Sequence, residues 1–515
     1  MTAKVIPHPS VADRQARGAD ARLATPPELH AEWVPAADRR DPVALLEEQN
    51  TTREPDLVPV RHGRMMVSPF TFYRGAAKIM ATDLAGTPTA GLTSQLCGDA
   101  HLSNFGVFAS PERRLLFDVN DFDETLPGPF EYDVKRMAAS FTIAARNNGL
   151  TRAAGVQVTT AAVRAYREAM AGFAGMGVMD LWYARISEDD LQTVVSRLAA
   201  EGKHTKHAKH RDAHDRTKPG KDVKAGKSAK PGKDIRASKT AAAEPDSAAF
   251  AARQAEKTLR KARTRDSLQA LSKLGELVDG RYRIVSQPPI VVPIRDLEQH
   301  YGMTAQDVER AVHEQFRDYR STLEDDRRQL LEKFQVVDIA RKVVGVGSVG
   351  TRSFIVLLQG RDQKDPLFLQ VKEATRSVLE EHLPHSRYRN PGERVVRGQR
   401  MMQAASDIYL GWTKGVQANR YLYWRQLRDM KGSALVDTMS TAALEVYAGL
   451  CGWTLARAHA RSGDPVAVSA YLGAGDEFDV SIAEFSQRYA DQNEIDYQAF
   501  VESIRTGRIP AVEGI

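Results

Sequence analysis

The sequence predicts an α+β fold with two lobes, one large and helical, one smaller and built on strands. Three features carry this reading. A polar loop flanked by short apolar runs lies early, over Cys97–Glu124. A strand, a glycine-rich turn, a returning strand and a lysine-ended strand follow about 240 residues later, over 336–372. Amphipathic helical patterns fill most of the remainder.

The early loop holds residues suited to phosphoryl transfer. Asp99 and Asn104 are spaced Asp-x-x-x-x-Asn, and the apolar Leu115, Leu116 and Phe117 lead to Asp118, Asp121 and Asp123. Such chemistry needs a carboxylate to orient a hydroxyl and oxygen ligands to hold Mg²⁺ against phosphates. Asp99 suits the base. Asn104 and Asp121 suit the metal, with Asp118 and Asp123 as alternates, because period-two alternation places 119, 121 and 123 on one face. His101, two residues after Asp99, is placed to orient it. Bland roles compete: an Asx-turn for Gly98-Asp99, a capping side chain for Asn104, a hydrogen-bonded structural histidine for His101.

The later pattern supplies what a nucleotide would need. Strand-like runs Val336–Ile339 and Phe354–Leu358 flank Gly345, Gly347, Ser348 and Gly350, where backbone N–H groups can approach phosphate. Thr351-Arg352 follows Gly350, so this is not a Walker A loop. The run Leu367–Val371 ends on Lys372, as does the kinase strand whose lysine pairs with the α- and β-phosphates; a snorkelling surface lysine is the alternative. Asn390-Pro391-Gly392 opens a helix over Glu393–Ala405, and Glu393 in its first turn is expected to hold Lys372, with Glu380 and Glu381 as rivals. Arg420–Leu427 reads as a strand entering a hinge at 428–432. Each piece is weak alone; the set together implies binding of ATP with Mg²⁺.

The order is inverted relative to a kinase, since the catalytic loop precedes the glycine turn. The expected fold is therefore protein-kinase-like and circularly permuted, which costs little when the new connection runs over the surface. It predicts a tail over 1–45, a catalytic-loop part of the large lobe over 46–200, and a lysine-rich insert over 201–248. A helical connection over 249–333, a small nucleotide-binding lobe over 334–431 and a C-terminal helical part over 432–515 complete it. The helix Ala443–Arg461 should pack beside the segment ending at Gly98, and Ser469–Ile515 should cover the lobe.

Longer motifs also carry a resemblance. SPFTFYRGAA (Ser68–Ala77), CGDAHLSNFG (Cys97–Gly106), NDFDETLPGPFEYDVKR (Asn120–Arg136) and RQLRDMKGS (Arg425–Ser433) resemble a bacterial family of unknown function, from about Arg64 onward and excepting the insert. The wider resemblance is to aminoglycoside-phosphotransferase-like kinases and rests on the individual residues above.

Composition bounds the rest. At 515 residues, with 42% hydrophobic and 27% charged residues, the chain has the makeup of a globular protein with a substantial core. Two cysteines, Cys97 and Cys451, exclude a disulfide scaffold and fit a reducing compartment. Cys97 is expected to be a small buried hydrophobe. No apolar run is long enough to span a membrane and no secretion signal is legible, so the expected location is cytoplasmic. Residues 1–45 read as a loose tail.

The net charge of +6 is local in origin. Glu201–Thr240 holds ten lysines and three arginines against five acids, a net of +8, so the body of the protein is slightly acidic. The insert has no apolar residues to bury and is expected to be disordered. It reads as a tolerated loop or as a nonspecific polyanion-binding arm over 203–239. Its four histidines, His204, His207, His210 and His214, lack a scaffold that would make a metal site.

Further helices are expected over Asp133–Asn147, Ala161–Gly172, Leu191–Ala200, Ala251–Leu277 and Thr304–Phe334, the last packing on the outside of the helical lobe. Tyr282–Pro293 reads as an edge or wrapping strand. Arg74 is a candidate phosphate or substrate contact, and Glu131, Asp133 and Arg136 are candidates to face an acceptor hydroxyl, whose carrier (small molecule more than protein) the spacing does not name. Oligomeric state is equally unread. Three alternatives stay open: nucleotidyl transfer from the same site, a nucleotide-binding pseudokinase scaffold docking on nucleic acid through the basic arm, and a metallophosphoesterase suggested by Gly98-Asp99-Ala100-His101. The last needs a later Gly-Asn-His or Gly-His-x-His set, which the sequence lacks.

Overall fold

The structure is a computed structural model that describes residues 8–197, 199–200, 247–302, 304–416, 419–427 and 430–514. The insert, its histidines and hinge residues 428–429 lie outside the described residues. The architecture mixes helices with sheets, all of whose strand pairs are antiparallel.

The helical body is organised around the helix Phe130–Asn147, buried along almost its whole length. A helix buried on every side, with its charged residues Glu131, Asp133, Lys135 and Arg136 included, has to be wrapped. The helices Arg152–Ala174, Thr441–Ala460 and Glu477–Arg505 do this. Short strands line one end of the body. β1 (Thr93–Leu96) pairs with β4 (Leu126–Pro129). β2 (Phe105–Ala109) and β3 (Leu115–Val119) form a hairpin flanked by β5 (Ile186–Ser187) and β14 (Gly432–Ser433).

A second layer is a six-stranded sheet in the order β12-β13-β11-β10-β9-β8. Its strands are β8 (Val291–Pro293), β9 (Gln335–Lys342), β10 (Ser353–Gln359), β11 (Pro366–Glu373), β12 (Gly411–Lys414) and β13 (Tyr421–Gln426). β6 (Gly275–Val278) and β7 (Arg281–Ile284) form a separate ribbon. Residues of β10 are apolar at consecutive positions because both faces of the sheet are covered. Val356 and Leu358 pack with Phe316, Tyr319 and Trp424 on one side. Ile355 and Leu357 pack with Leu271, Leu274 and Phe368 on the other. Tyr319 stacks on Trp424 with ring centres 4.6 Å apart.

Several expectations are corrected. The N-terminal 1–45 segment is not a loose tail where it is described: Ser10 caps a helix over Val11–Ala24. Arg14 pairs with Asp464 at 2.7 Å, and Arg39 joins Asp83 and Asp496 at 2.7 Å each. The Thr304–Phe334 helix is two helices, Ala305–Arg320 and Asp325–Leu331, and packs on the six-stranded sheet rather than on the helical body. Ala251–Leu277 is likewise broken, into Ser247–Arg263 and Ser267–Leu274, before β6 begins. The 249–333 segment is more than a connection, since it supplies β8 and covers both faces of the sheet.

The Thr441–Ala460 helix does pack beside the segment ending at Gly98: Ser462 Oγ, just past its end, accepts from Gln95 N at 3.0 Å. The C-terminal helix Glu477–Arg505 covers the body as expected. Cys97 and Cys451 are both buried and free. No helix of the described residues is long and apolar enough to cross a membrane.

Candidate functional site

The acid loop is held from below by the central helix. β1 runs out at Leu96, and Gly98 turns with φ +83°, where a Cβ would fall 2.3 Å from the Glu124 carbonyl oxygen. Only glycine fits such a turn. In the first turn of the Phe130–Asn147 helix, Asp133 accepts from Cys97 N at 2.7 Å and Gly98 N at 3.0 Å. One turn on, Arg136 donates its Nε to Asp99 Oδ1 at 2.8 Å, and its guanidinium lies 3.8 Å over the Tyr73 ring. Asn104 donates its Nδ2 to the Asp99 carbonyl at 2.7 Å. Asp99 is thus fixed at both backbone and side chain.

Burial pushes the Asp99 carboxyl up to about 6, against the opposing Arg136 charge. A carboxylate at that value is ionised near neutrality yet basic enough to take a proton. His101 Nε2 lies 3.7 Å from Asp99 Oδ2, beyond hydrogen-bond range. Burial, with the charges of Arg74 and Arg136, holds His101 well below its usual range, so it is neutral.

Lys372, on β11, crosses to the acid loop. Its Nζ lies 2.6 Å from Asp123 Oδ2 and 3.8 Å from Asp121 Oδ1. Burial alone would lower the ammonium; Asp121 and Asp123 outweigh it and keep Lys372 charged. The Tyr423 hydroxyl donates to the other Asp123 oxygen at 2.5 Å. Burial would raise Asp123, yet Lys372 and Tyr423 hold it below the usual carboxylate range. Asp121 shifts the other way, raised by burial and by the charge of Asp123. Asp123 is therefore a clamped carboxylate and Asp121 the more open one.

The glycine turn between β9 and β10 closes over these acids. Ser348 Oγ is 3.4 Å from Asp123 Oδ2. Gly350 has φ +88°, and Gly345 φ +68°. The turn is held from behind: the carbonyls of Gly345, Val349 and Gly350 accept from Arg64, from Arg53 and from the Glu54 amide respectively.

Two chambers meet at this point. One, of about 900 Å³, is lined by Asp99, His101, Asn104, Asp121, Asp123 and Gly345–Ser348, with Arg53 and Arg74 on its wall. The other, of about 490 Å³, runs from Asp121, Gly345 and Lys372 towards Gln426, Leu427 and Lys431, where β13 crosses to β14. Both are in the range of small-molecule sites. Arg74 keeps a buried Nε without a hydrogen-bond partner.

Several candidates sit elsewhere. Asp118 is not a cleft residue: its carboxylate is buried, paired with Arg457 at 2.6 Å and accepting from Ala404 N at 2.9 Å. Glu393 does not reach Lys372 but lies 3.4 Å from Arg397 on its own helix. Of its rivals, Glu381 pairs with Lys78 at 2.8 Å and Glu380 lies 3.9 Å from Arg394. Glu131 accepts from Ala90 N at 2.6 Å and, like Asp133, supports backbone rather than facing an acceptor. Glu54, Asp56 and His300 form a tight ligand-like group, but Arg352 at 2.8 Å and Arg341 at 2.7 Å already neutralise its acids.

Three residues hold the site in roles that the sequence pattern does not assign them. Tyr423 could have been found from the alternation of β13, which faces it to β11. Arg136 was considered for an acceptor, although its position one turn after Asp133 places it under Asp99. Arg394, next to Glu393, donates to the carbonyls of Asp123, Thr125 and Thr375 and ties the helix to the acid loop. Nothing in its local sequence marks it.

A family model described as uncharacterised protein conserved in bacteria (DUF2252) matches residues 53–236 and 221–503. The chain belongs to this family. The DUF2252 match takes in Asp99, Asn104, the aspartates, the glycine turn and Lys372. No curated protein and no solved structure matches the chain.

In this DUF2252 chain the donors fit a hard divalent cation. Asp121 is the more open carboxylate, and Asn104, which donates through Nδ2, lines the same cleft. Oxygen-only donors of this kind suit Mg²⁺. The same cleft brings together the raised carboxyl of Asp99, the buried ammonium of Lys372 and the glycine turn.

Proposed function

We propose that the protein is a MgATP-dependent phosphotransferase with a circularly permuted, protein-kinase-like fold, acting on a hydroxyl of a small-molecule acceptor. The observation that carries this reading is the bridge from Lys372 to Asp123 and Asp121, which joins the glycine-turn sheet to the acid loop in one cleft. A lysine ending a sheet strand, against an aspartate pair, with an Asp/Asn loop below, is a set with few other uses.

In this reading Asp99 accepts the proton of the acceptor hydroxyl, and Arg136 holds it in place. Lys372 neutralises phosphate oxygens, and the glycine turn covers them. Asp121 and Asn104 would hold Mg²⁺, which when bound supplies charge neutralisation at the transferring phosphoryl group. Asp123 takes the role expected of Glu393, orienting Lys372.

A thermal-shift titration with ATP, with and without Mg²⁺, tests this on the wild type and Asp121→Asn. Ligand at about 100 times its Kd stabilises a fold by roughly 2.7 kcal/mol. A Mg²⁺-dependent shift that Asp121→Asn abolishes is expected. No shift with any nucleotide would end the ATP reading.

A further inference from the structure

The chamber beside the β13–β14 crossing has the wrong chemistry for a purine. Its lining includes Lys261, Arg265, Lys273, Arg425 and Lys431 as well as Lys372, against Asp121 as the single carboxylate among the described residues. Among the described residues, Val344 and Leu427 are its only aliphatic side chains, and no aromatic ring lines it. A flat uncharged base gains little from such walls, whereas phosphate gains much.

Lys372 is held by Asp123 and Asp121, but Lys261, Lys273 and Arg425 make no ion pair with an acid among the described residues. Arg425 donates to the Gln370 side chain at 3.0 Å and to the Asn120 carbonyl at 3.4 Å. Arg265 donates to the Lys431 carbonyl. Asp407, whose charge acts on Lys431 and Arg425, is committed to the amides of Tyr409 and Gln426. The Arg265 carbonyl in turn accepts from Met430 N at 2.9 Å, so part of the backbone edge at the crossing is already taken.

We propose that this chamber is a phosphate-chain seat, and that the enzyme accepts linear inorganic polyphosphate as donor, with phosphates where a nucleoside would lie. This rests on the phosphotransferase reading and extends its donors beyond ATP. The chain would run from Lys261 and Lys273 past Arg425 to Lys372, its terminal phosphoryl group at Asp121. The terminal P–O–P bond breaks, a P–O bond forms to the acceptor oxygen, and the hydroxyl proton goes to Asp99. The product chain leaves one phosphate shorter and keeps the bridging oxygen as an anion. No oxidant or further reactant is needed.

The test compares Mg²⁺ with tripolyphosphate, ATP and adenosine, by thermal shift, on the full chain. Three proteins are compared for affinity, the wild type, Lys261→Glu/Lys273→Glu and the charge-matched control Lys333→Glu/Lys364→Glu, and Asp121→Asn is titrated beside them. Tripolyphosphate should stabilise the wild type at least as much as ATP, adenosine should give no shift, and at least tenfold of the tripolyphosphate affinity should disappear in Lys261→Glu/Lys273→Glu alone. An Asp121-dependent ATP shift with no tripolyphosphate shift, or equal affinity in all three proteins, overturns the proposal and leaves the phosphotransferase standing. Tripolyphosphate binding lost in Lys261→Glu/Lys273→Glu but indifferent to Asp121→Asn would instead keep the seat and remove the transfer reading.

Discussion

Lys372 Nζ and Asp123 Oδ2 are separated by 249 residues of sequence and by 2.6 Å in space. The pair is clamped on the aspartate side by Tyr423 and on the lysine side by burial in β11. Lys372→Met should lower ATP-dependent turnover by about 10²–10³-fold, the usual loss when a preorganised charge is removed from a transferring group. Glu393→Gln should stay near the wild-type rate, because Glu393 faces Arg397. Hydrolysis of γ-labelled ATP compares the two; a large loss in Glu393→Gln would show that the helix glutamate moves to the lysine during turnover.

Asp99 sets a pH limb. A base works only when ionised, so with its carboxyl raised to about 6 the kcat/KM should climb as pH rises through that value and flatten above it. Asp99→Asn should remove the limb and cost roughly 10²–10⁴-fold. A profile flat from pH 5 to 8 in the wild type would remove Asp99 as the base.

Asp118 and Arg457 form a pair with both side chains 1% exposed. Arg457→Ala leaves a carboxylate buried and unpaired, which typically costs about 3–5 kcal/mol. The double change Asp118→Asn/Arg457→Leu should be milder than Arg457→Ala. Urea unfolding followed by tryptophan fluorescence reads both. A mild Arg457→Ala would mean that water reaches Asp118.

Glu124 provides a stability test independent of activity. Burial pushes its carboxyl up to about 7, above the unfolded value of 4.5, although the Val378 amide donates to it at 2.7 Å. A group raised on folding contributes stability at low pH that is lost as pH climbs through the folded value. Glu124→Gln keeps the acceptor for Val378 and cannot ionise. Its Tm should therefore match the wild type near pH 4.5 and exceed it increasingly up to about pH 7. A gap that does not change with pH would place Glu124 in contact with water.

The sequence made the acid loop and the glycine–lysine sheet visible because their signals are local: Asp99 and Asn104 lie within one turn, and Asn390 caps its helix with Pro391 at the first position. Partnership across the fold was less visible. Glu393 satisfied every local expectation for a lysine partner, yet that helix points Arg394 inward instead. The helix expected over 304–334 ends at Arg320, and in the break Thr322 accepts from Trp412 N at 3.2 Å at the edge of the sheet, a contact with a residue 90 positions away. The N-terminal helix is held by polar contacts, Arg14 to Asp464 and Arg22 to the Tyr471 and Leu472 carbonyls, and these leave no apolar periodicity to read.

The hold on the glycine turn has a thermodynamic side. Arg64, Arg53 and the Glu54 amide each take a carbonyl from residues 345–350, so this turn is not a flap that a ligand must first freeze. The entropy of ordering it is spent during folding, not at binding. Affinity for any ligand of the turn then becomes a property of a distant stretch of chain: loosening residues 54–64 would weaken binding without altering a group that lines the cleft.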